Sequence, residues 1–179
     1  MSRRCSPILP VLGLVLALVA SPAAAEPSDP FSGVWTLAPG PRLGGTVSQV
    51  LTISVRDDEE TYRSELLTTD GRLQITDYVA RYDGREYPSA TRLTGGGGPD
   101  ESRLGGVVLH RTDRLTRERH WKQDGRVFRI LRRTVSADGC EMSSQLVEVA
   151  ADGSERPGGI LTFERREPSC RPPPTIPPA

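Results

Sequence analysis

The sequence has few of the residues from which metal centres and nucleophilic active sites are built. Its 179 residues include two histidines and three cysteines, and neither His110 nor His120 has a cysteine cluster or a pair of carboxylates nearby. No zinc or other metal is therefore predicted. The four glycines at 95–98 are not followed by the Gly-Lys-Ser/Thr of a phosphate-binding loop, and Gly-x-Ser-x-Gly is absent. These absences predict a protein that is not an enzyme and uses no cofactor.

Long hydrophobic runs are also scarce, and the one clear example covers residues 8–20. Arg3 and Arg4 precede it and three alanines at 23–25 follow it, which is the order of basic, apolar and small residues in a secretory signal peptide. We expect cleavage after Ala25, so that residues 1–25 are removed and the protein is periplasmic or secreted. The run is shorter than the roughly 20 residues that cross a bilayer, and no transmembrane segment is predicted in the mature chain.

Neither sign of charge dominates the chain. It has 23 basic and 23 acidic residues, and removal of Arg3 and Arg4 with the signal peptide leaves 21 basic and 23 acidic. This slight acidity predicts no nucleic-acid partner. One exception is the segment 110–133, which holds nine basic and three acidic residues. It supports an alternative function, in which a basic outer surface binds an envelope polyanion or a protein partner.

The hydrophobic residues that are present follow a period of two. Leu51, Ile53 and Val55 alternate with polar residues, as in a half-buried strand, and no window of a dozen residues has the pattern of an amphipathic helix. Asp-Gly, a dipeptide suited to tight hairpin turns, begins at positions 70, 83, 124, 138 and 152. About ten strands are predicted, at 31–37, 48–56, 61–68, 72–81, 85–88, 106–112, 115–122, 126–135, 141–150 and 159–166.

This succession of strands predicts an all-β fold. Short connections make consecutive strands antiparallel, and a meander of eight to ten strands hides its edges most easily by closing into an up-and-down barrel. A β-sandwich is the alternative. The barrel domain is expected to span residues 26–167, with mobile loops at 39–46 and 89–102. A Pro-rich tail is expected at 168–179.

Two cysteines, Cys140 and Cys170, remain after the signal peptide is removed. In an exported protein they are expected to form a disulfide. If positions 150 and 159 close the last hairpin, Cys140 faces residue 169, next to Cys170. Such a bond would hold the start of the tail against the ninth strand and typically contributes ~2–4 kcal/mol.

The first predicted strand carries a family resemblance. Residues 31–37 read Phe-Ser-Gly-Val-Trp-Thr-Leu and contain Gly33-x-Trp35, which resembles the first strand of lipocalins. With Tyr-Asp-Gly at 82–84 and Tyr-Pro at 87–88, most of the mature chain is similar to a group of exported bacterial lipocalin-like proteins.

The resemblance implies a structural role for Gly33 and Trp35. In lipocalins the tryptophan closes one end of the barrel beneath an arginine from the final strand. Arg165 or Arg166 stands where that partner would be. A cation over the face of an indole ring is attractive, so the implied contact has a physical basis.

The predicted interior of the barrel is partly basic. On the seventh strand the even positions 116–122 are all polar, so Arg117, Arg119 and Trp121 are expected to face inward. The eighth strand brings at least one arginine inside whichever face is inward, and Arg129 is the predicted one. A buried guanidinium needs a carboxylate, water or an anionic ligand beside it.

These residues predict a ligand site. A barrel of this size holds one small molecule, and the inward arginines with Trp121, Tyr62 and Tyr78 would suit a hydrophobic or amphiphilic molecule with an anionic head. The fatty-acid-binding barrels, relatives of lipocalins, are similar in this use of arginines. Alternatively, the arginines fill the lumen themselves and pair with acids on other strands: Glu65, Asp77 or Glu148.

Overall fold

The computed structural model describes residues 29–40 and 44–170. Ten strands make up most of this part: β1 (Gly33–Leu37), β2 (Thr46–Arg56), β3 (Glu59–Thr68), β4 (Arg72–Arg81), β5 (Glu86–Gly95), β6 (Glu101–Arg111), β7 (Thr116–Gln123), β8 (Arg126–Val135), β9 (Glu141–Val149) and β10 (Glu155–Arg165). A short 3₁₀ helix (Pro168–Cys170) follows β10. The predicted signal peptide and the tail beyond residue 170 lie outside the described residues. In the described ranges no helix is long and apolar enough to span a membrane.

Each strand pairs antiparallel with its neighbours in sequence, and β1 also pairs with β10, so the sheet closes into a barrel. The predicted all-β, antiparallel up-and-down barrel is confirmed, and the sandwich alternative is excluded. Closure gives every described strand two hydrogen-bonded neighbours, which removes the exposed edges that promote aggregation.

The alternation of apolar and polar residues in the sequence corresponds to the inner and outer faces of the sheet. On β3, Tyr62 and Ser64 are buried, whereas Thr61 and Glu65 on either side of them are exposed. Residues directly opposite each other on paired strands share a face of the sheet. Tyr78 on β4 stands opposite Tyr62 and therefore also faces inward. The inward face can therefore be followed from strand to strand.

The predicted loop at 89–102 is wrong. β5 continues to Gly95 and β6 begins at Glu101, with direct pairs such as Ala90 with Leu104, so only 96–100 connects the two strands. Few apolar residues alternate with polar ones in this segment, so the sequence pattern did not show that the two strands extend into it. The glycine at 96 is required by the turn, since it has a φ of +65° and a Cβ there would lie 2.5 Å from the Arg72 side chain.

The two ends of the barrel differ. At one end, which we call the floor, residues 29–32 cross the barrel and large side chains such as Phe31, Trp35 and Phe163 are fully buried. At the other end, the mouth, inward-facing leucines are only half-buried. Solvent therefore reaches the inner wall at the mouth and is excluded at the floor.

The disulfide between Cys140 and Cys170 is confirmed. The register that predicted it is wrong, because the Arg165 amide donates to the Cys140 carbonyl and so Cys140 lies beside Arg165, not beside residue 169. The short 3₁₀ helix turns the chain back after β10 and brings the two Cα atoms to 5.2 Å.

Candidate functional site in the barrel interior

The floor is built around Trp35, which is completely buried. Its indole N–H donates to the Phe31 carbonyl at 3.0 Å, and the Arg165 guanidinium lies 4.2 Å from the ring centroid, in a cation–π contact. Arg165 also donates to the carbonyls of Pro30, Ser32 and Gly139. Gly33 makes room for it, because a Cβ at Gly33 would lie 2.7 Å from an Arg165 nitrogen.

The segment before β1 contributes a carboxylate to the interior. Asp29 forms an ion pair with Arg117, whose side chain is only 5% exposed. The Arg117 guanidinium also lies 4.2 Å from the centre of the Phe31 ring and donates to the Tyr82 hydroxyl at 2.7 Å. Arg117 is thus enclosed by the floor and held by groups from three parts of the chain.

Glu60, at the start of β3, is the centre of the buried polar cluster. It is 3% exposed and is the only acidic residue in the described ranges that is fully buried. The hydroxyls of Tyr78 and Tyr82 both donate to its carboxylate. Arg119 lies 3.6 Å and Arg117 3.8 Å from the same group.

Arg119 lies in an aromatic cage. Its guanidinium carbon is 3.8 Å from the centre of the Tyr62 ring, 4.8 Å from that of Tyr78 and 5.4 Å from that of Trp121. Arg133 approaches the same Tyr62, with its guanidinium carbon 5.1 Å from the ring and a hydrogen bond of 3.2 Å to the hydroxyl. Tyr62 therefore lies between two cations.

The buried cluster has more positive than negative charge. Three arginines are fully buried in the described chain, Arg117, Arg119 and Arg133, and the two carboxylates that contact them belong to Asp29 and Glu60. Several guanidinium nitrogens have no hydrogen-bond partner within the described residues: Nε of Arg117, Nε and Nη1 of Arg119, and Nε of Arg133. A buried donor without a partner is costly, so these groups are suited to receive an anion.

The same charges change the acidity of the tyrosines. Burial raises the pKa of a phenol, but the guanidiniums of Arg119 and Arg133 outweigh it and lower the pKa of Tyr62 to about 8. For Tyr78, burial and the Glu60 carboxylate raise the pKa well above its ordinary value. The two rings are stacked, but they differ in acidity because Tyr62 is hydrogen-bonded by the two guanidiniums whereas Tyr78 lies against the carboxylate.

We expect one of the four tyrosines to ionise near pH 8. A spectrophotometric titration should show about a quarter of the phenolate absorbance appearing there, and Tyr62→Phe should abolish this step. Tyr87→Phe is the control, since hydrogen bonding to Asp83 raises the pKa of Tyr87. Because the folded pKa of Tyr62 is below the value of 10.0 for a free phenol, stability should rise with pH between these two values. A wild-type titration without the early step would contradict the predicted electrostatics.

Above the cluster, the inner wall has more apolar side chains, and they are only partly shielded from solvent. Five inward-facing leucines in the upper part of the barrel are half-buried, as is Trp121: Leu66, Leu93, Leu131, Leu146 and Leu161. Their faces follow from the register, in which Leu131 stands opposite both Arg119 and Leu146. A hydrocarbon chain that entered here would meet the cationic cluster at its inner end.

The predicted site residues fall into two groups. Arg117, Arg119, Tyr62 and Tyr78 lie together in the buried cluster, and Trp121 lies at its upper edge. The remaining one, Arg129, does not join them. Arg129 lies on the inward face of β8, opposite Trp121 on β7, but nearer the mouth than the cluster. Its side chain is 42% exposed there and pairs with Glu148 at 2.9 Å.

The pattern missed four members of the cluster: Tyr82, Arg133, Glu60 and Asp29. Arg133 takes the place predicted for Arg129, and both residues share one face of β8, so alternation alone could not choose between them. Glu60 was hidden in the acidic run 57–60, which resembles a solvated turn, although it alternates in phase with Tyr62. Asp29 precedes the first strand, and no pattern in the sequence indicated that it would contact the buried arginines.

The acids proposed as alternative partners lie elsewhere. Glu65 and Asp77 both pair with Arg63 on the outer face of the sheet, at 2.8 and 3.2 Å. Glu148 pairs with Arg129 near the mouth. None of the three contributes to the neutralisation of the buried arginines through these contacts.

The outer surface offers a hollow and a set of ion pairs. The hollow has a volume of about 550 Å³, lies across β2–β6 and includes the exposed side chains of Val79 and Leu104. The basic segment 110–133 is partly neutralised by acids on other strands and in one turn. Its ion pairs join Lys122 to Glu86, Arg111 to Asp58, Arg132 to Glu118 and Glu155, and Arg129 to Glu148.

His110 and His120 lie against each other on the outer face, with ring centroids 4.6 Å apart. In the described ranges no group of three or more histidine, cysteine or acidic side chains is arranged to hold a metal ion.

Comparisons with protein families, with curated proteins and with solved structures find no match.

Proposed function

We propose that this chain is a non-catalytic binding protein whose barrel holds a small hydrophobic or amphiphilic molecule with an anionic head. The observation that carries the proposal is the set of buried guanidinium N–H groups on Arg119 and Arg133 that have no partner within the described residues. Groups of this kind are retained in a protein interior at a cost in stability. A ligand carboxylate would supply both the missing acceptors and the missing negative charge.

The arrangement of the wall supports an amphiphile rather than a small hydrophilic anion. The inner wall changes from the cationic cluster to half-buried leucines toward the mouth, with Trp121 between the two zones. An extended chain would place its head at Arg119 and its tail beside Leu131 and Leu146. Burial of the tail would contribute about 25 cal/mol for each Å² of apolar surface removed from water.

Export and membership of the lipocalin-like group are part of this proposal. The contact of Arg165 with Trp35, and the space that Gly33 leaves for it, supports the kinship. The strand number is a departure, since lipocalins have eight strands and this barrel has ten. The alternative of a polyanion-binding outer surface has less support, because four of the exposed or half-buried cations of segment 110–133 are paired with acids.

The proposal is tested by calorimetric titration of the purified chain with dodecanoate, dodecanol and dodecyltrimethylammonium, the two ions below their micelle concentrations and the alcohol below its solubility limit. Dodecanoate should bind with a stoichiometry of one, and the cationic amphiphile should bind at least tenfold more weakly, on the order of the loss of a charged hydrogen bond. Equal binding of all three amphiphiles would contradict recognition of the anionic head.

Variants locate the site. Arg119→Met should weaken dodecanoate binding by about 10–100-fold, and Trp121→Ala should also weaken it. Leu104→Ser is the matched control, because Leu104 is 83% exposed in the outer hollow. If Leu104→Ser weakens binding and Arg119→Met does not, the ligand occupies the outer hollow and the proposed interior site is wrong.

A further inference from the structure

Tyr62 carries an ionisable group in the cationic part of the barrel interior. Its side chain is 3% exposed, its hydroxyl accepts a hydrogen bond of 3.2 Å from Arg133, and the Arg119 guanidinium lies over its ring. Tyr78 is stacked on it but donates its own hydroxyl proton to Glu60. Tyr62 is therefore hydrogen-bonded to a cation, whereas its stacking partner is hydrogen-bonded to a carboxylate.

The strands packed around Tyr62 present two cations and two uncharged side chains toward it: Ile53 on β2, Tyr78 on β4, Arg119 on β7 and Arg133 on β8. On β3 itself, the next inward residue toward the floor is Glu60, whose carboxylate accepts hydrogen bonds from two other tyrosines. A phenolate at Tyr62 would thus lie against two guanidiniums, in surroundings where an ion pair is poorly screened by water.

A Tyr62 phenolate would carry the same charge as the head of the proposed amphiphile. The buried arginines exceed Asp29 and Glu60 by one charge, and a second anion beside that one charge would be repelled by the first. We propose that the phenolate and the bound carboxylate exclude each other, so that loss of the Tyr62 proton releases the amphiphile. This inference rests on the proposed function, because it concerns the regulation of the same site.

The release takes place in alkaline solution. Burial raises the pKa of Tyr62, but Arg119 and Arg133 outweigh it and lower the pKa to about 8. The pKa of Tyr78 is raised, so that residue stays neutral in this range. A bound carboxylate would raise the pKa of Tyr62 again. The affinity is then full below pH 8 and falls above it, by up to about tenfold for each pH unit.

Calorimetric titration with dodecanoate at pH 7 and pH 9 tests the coupling, since a carboxylate and the arginines keep their charges over this range. The wild type should bind about tenfold more weakly at pH 9, and binding there should take up close to one proton, measured in buffers of different ionisation enthalpy. Tyr62→Phe should bind equally at both pH values. Tyr87→Phe, which removes a hydroxyl that donates to Asp83, should keep the tenfold loss.

An absorbance titration of the wild type decides the question if Tyr62→Phe does not fold. Saturating dodecanoate should move the phenolate step from near pH 8 to above pH 9, whereas dodecanol, which has no charge, should leave it in place. If dodecanoate binds equally at pH 7 and pH 9, the coupling is wrong and the proposed function stands. If dodecanoate does not bind at pH 7, the proposed function is wrong and the coupling is wrong with it.

Discussion

Replacing Glu60 by glutamine is expected to lower the free energy of unfolding by about 3–5 kcal/mol, as found when one partner of a buried charge pair is removed. The carboxylate lies within 4 Å of Arg117 and Arg119 and accepts hydrogen bonds from two tyrosine hydroxyls. Glutamine has a similar shape but no charge. The buried arginines would then be balanced by Asp29 alone, and the effect should appear as a lower midpoint of denaturant unfolding.

The neighbouring residue provides a matched control. Glu59 pairs with Arg81 at 3.4 Å, but its side chain is 46% exposed, so Glu59→Gln should cost less than about 1 kcal/mol. The double variant Glu60→Gln with Arg119→Met removes one charge of each sign and should be more stable than Glu60→Gln alone. Equal midpoints for Glu60→Gln and Glu59→Gln would show that Glu60 does not balance the arginines.

The barrel itself was predictable because its signals are local. Alternation along β3 or β7 depends on residues two apart, and each Asp-Gly turn joins strands that are adjacent in sequence. The inward face of β7, with Arg117 and Arg119, followed from the polar residues between them. Where the alternation was weak, in the second half of β5 and the first half of β6, the strands were predicted too short, at 85–88 and 106–112.

The buried cluster was only partly predictable because its contacts are not local. Glu60 on β3 meets Arg119 on β7 across the lumen, and three strands separate them around the barrel wall. No pattern in a single strand determines which acid approaches which arginine. The choice between Arg129 and Arg133 likewise depends on depth along one face, which is set by where β8 meets the floor.

Replacing Trp35 by alanine is expected to destabilise the protein by about 3–5 kcal/mol, the range for removal of a fully buried large aromatic side chain. Trp35 has no solvent exposure, and its loss would also free the Arg165 guanidinium that lies over it. Denaturant unfolding measures the loss. The chain has two tryptophans, so the fluorescence of Trp121 remains as a probe in this variant.

Trp121→Ala is the control for the size of the side chain. Trp121 is half-buried near the mouth, so this variant should lower the free energy of unfolding clearly less than Trp35→Ala.

The contribution of the cation–π contact can be isolated by a double-mutant cycle with Trp35→Leu and Arg165→Met. Its coupling energy should be about 1–2 kcal/mol, because the pair is shielded from water. If the two alanine variants are equally destabilised, the floor is no more rigid than the mouth. A zero coupling energy would mean that Arg165 stabilises the floor only through its hydrogen bonds to Pro30, Ser32 and Gly139.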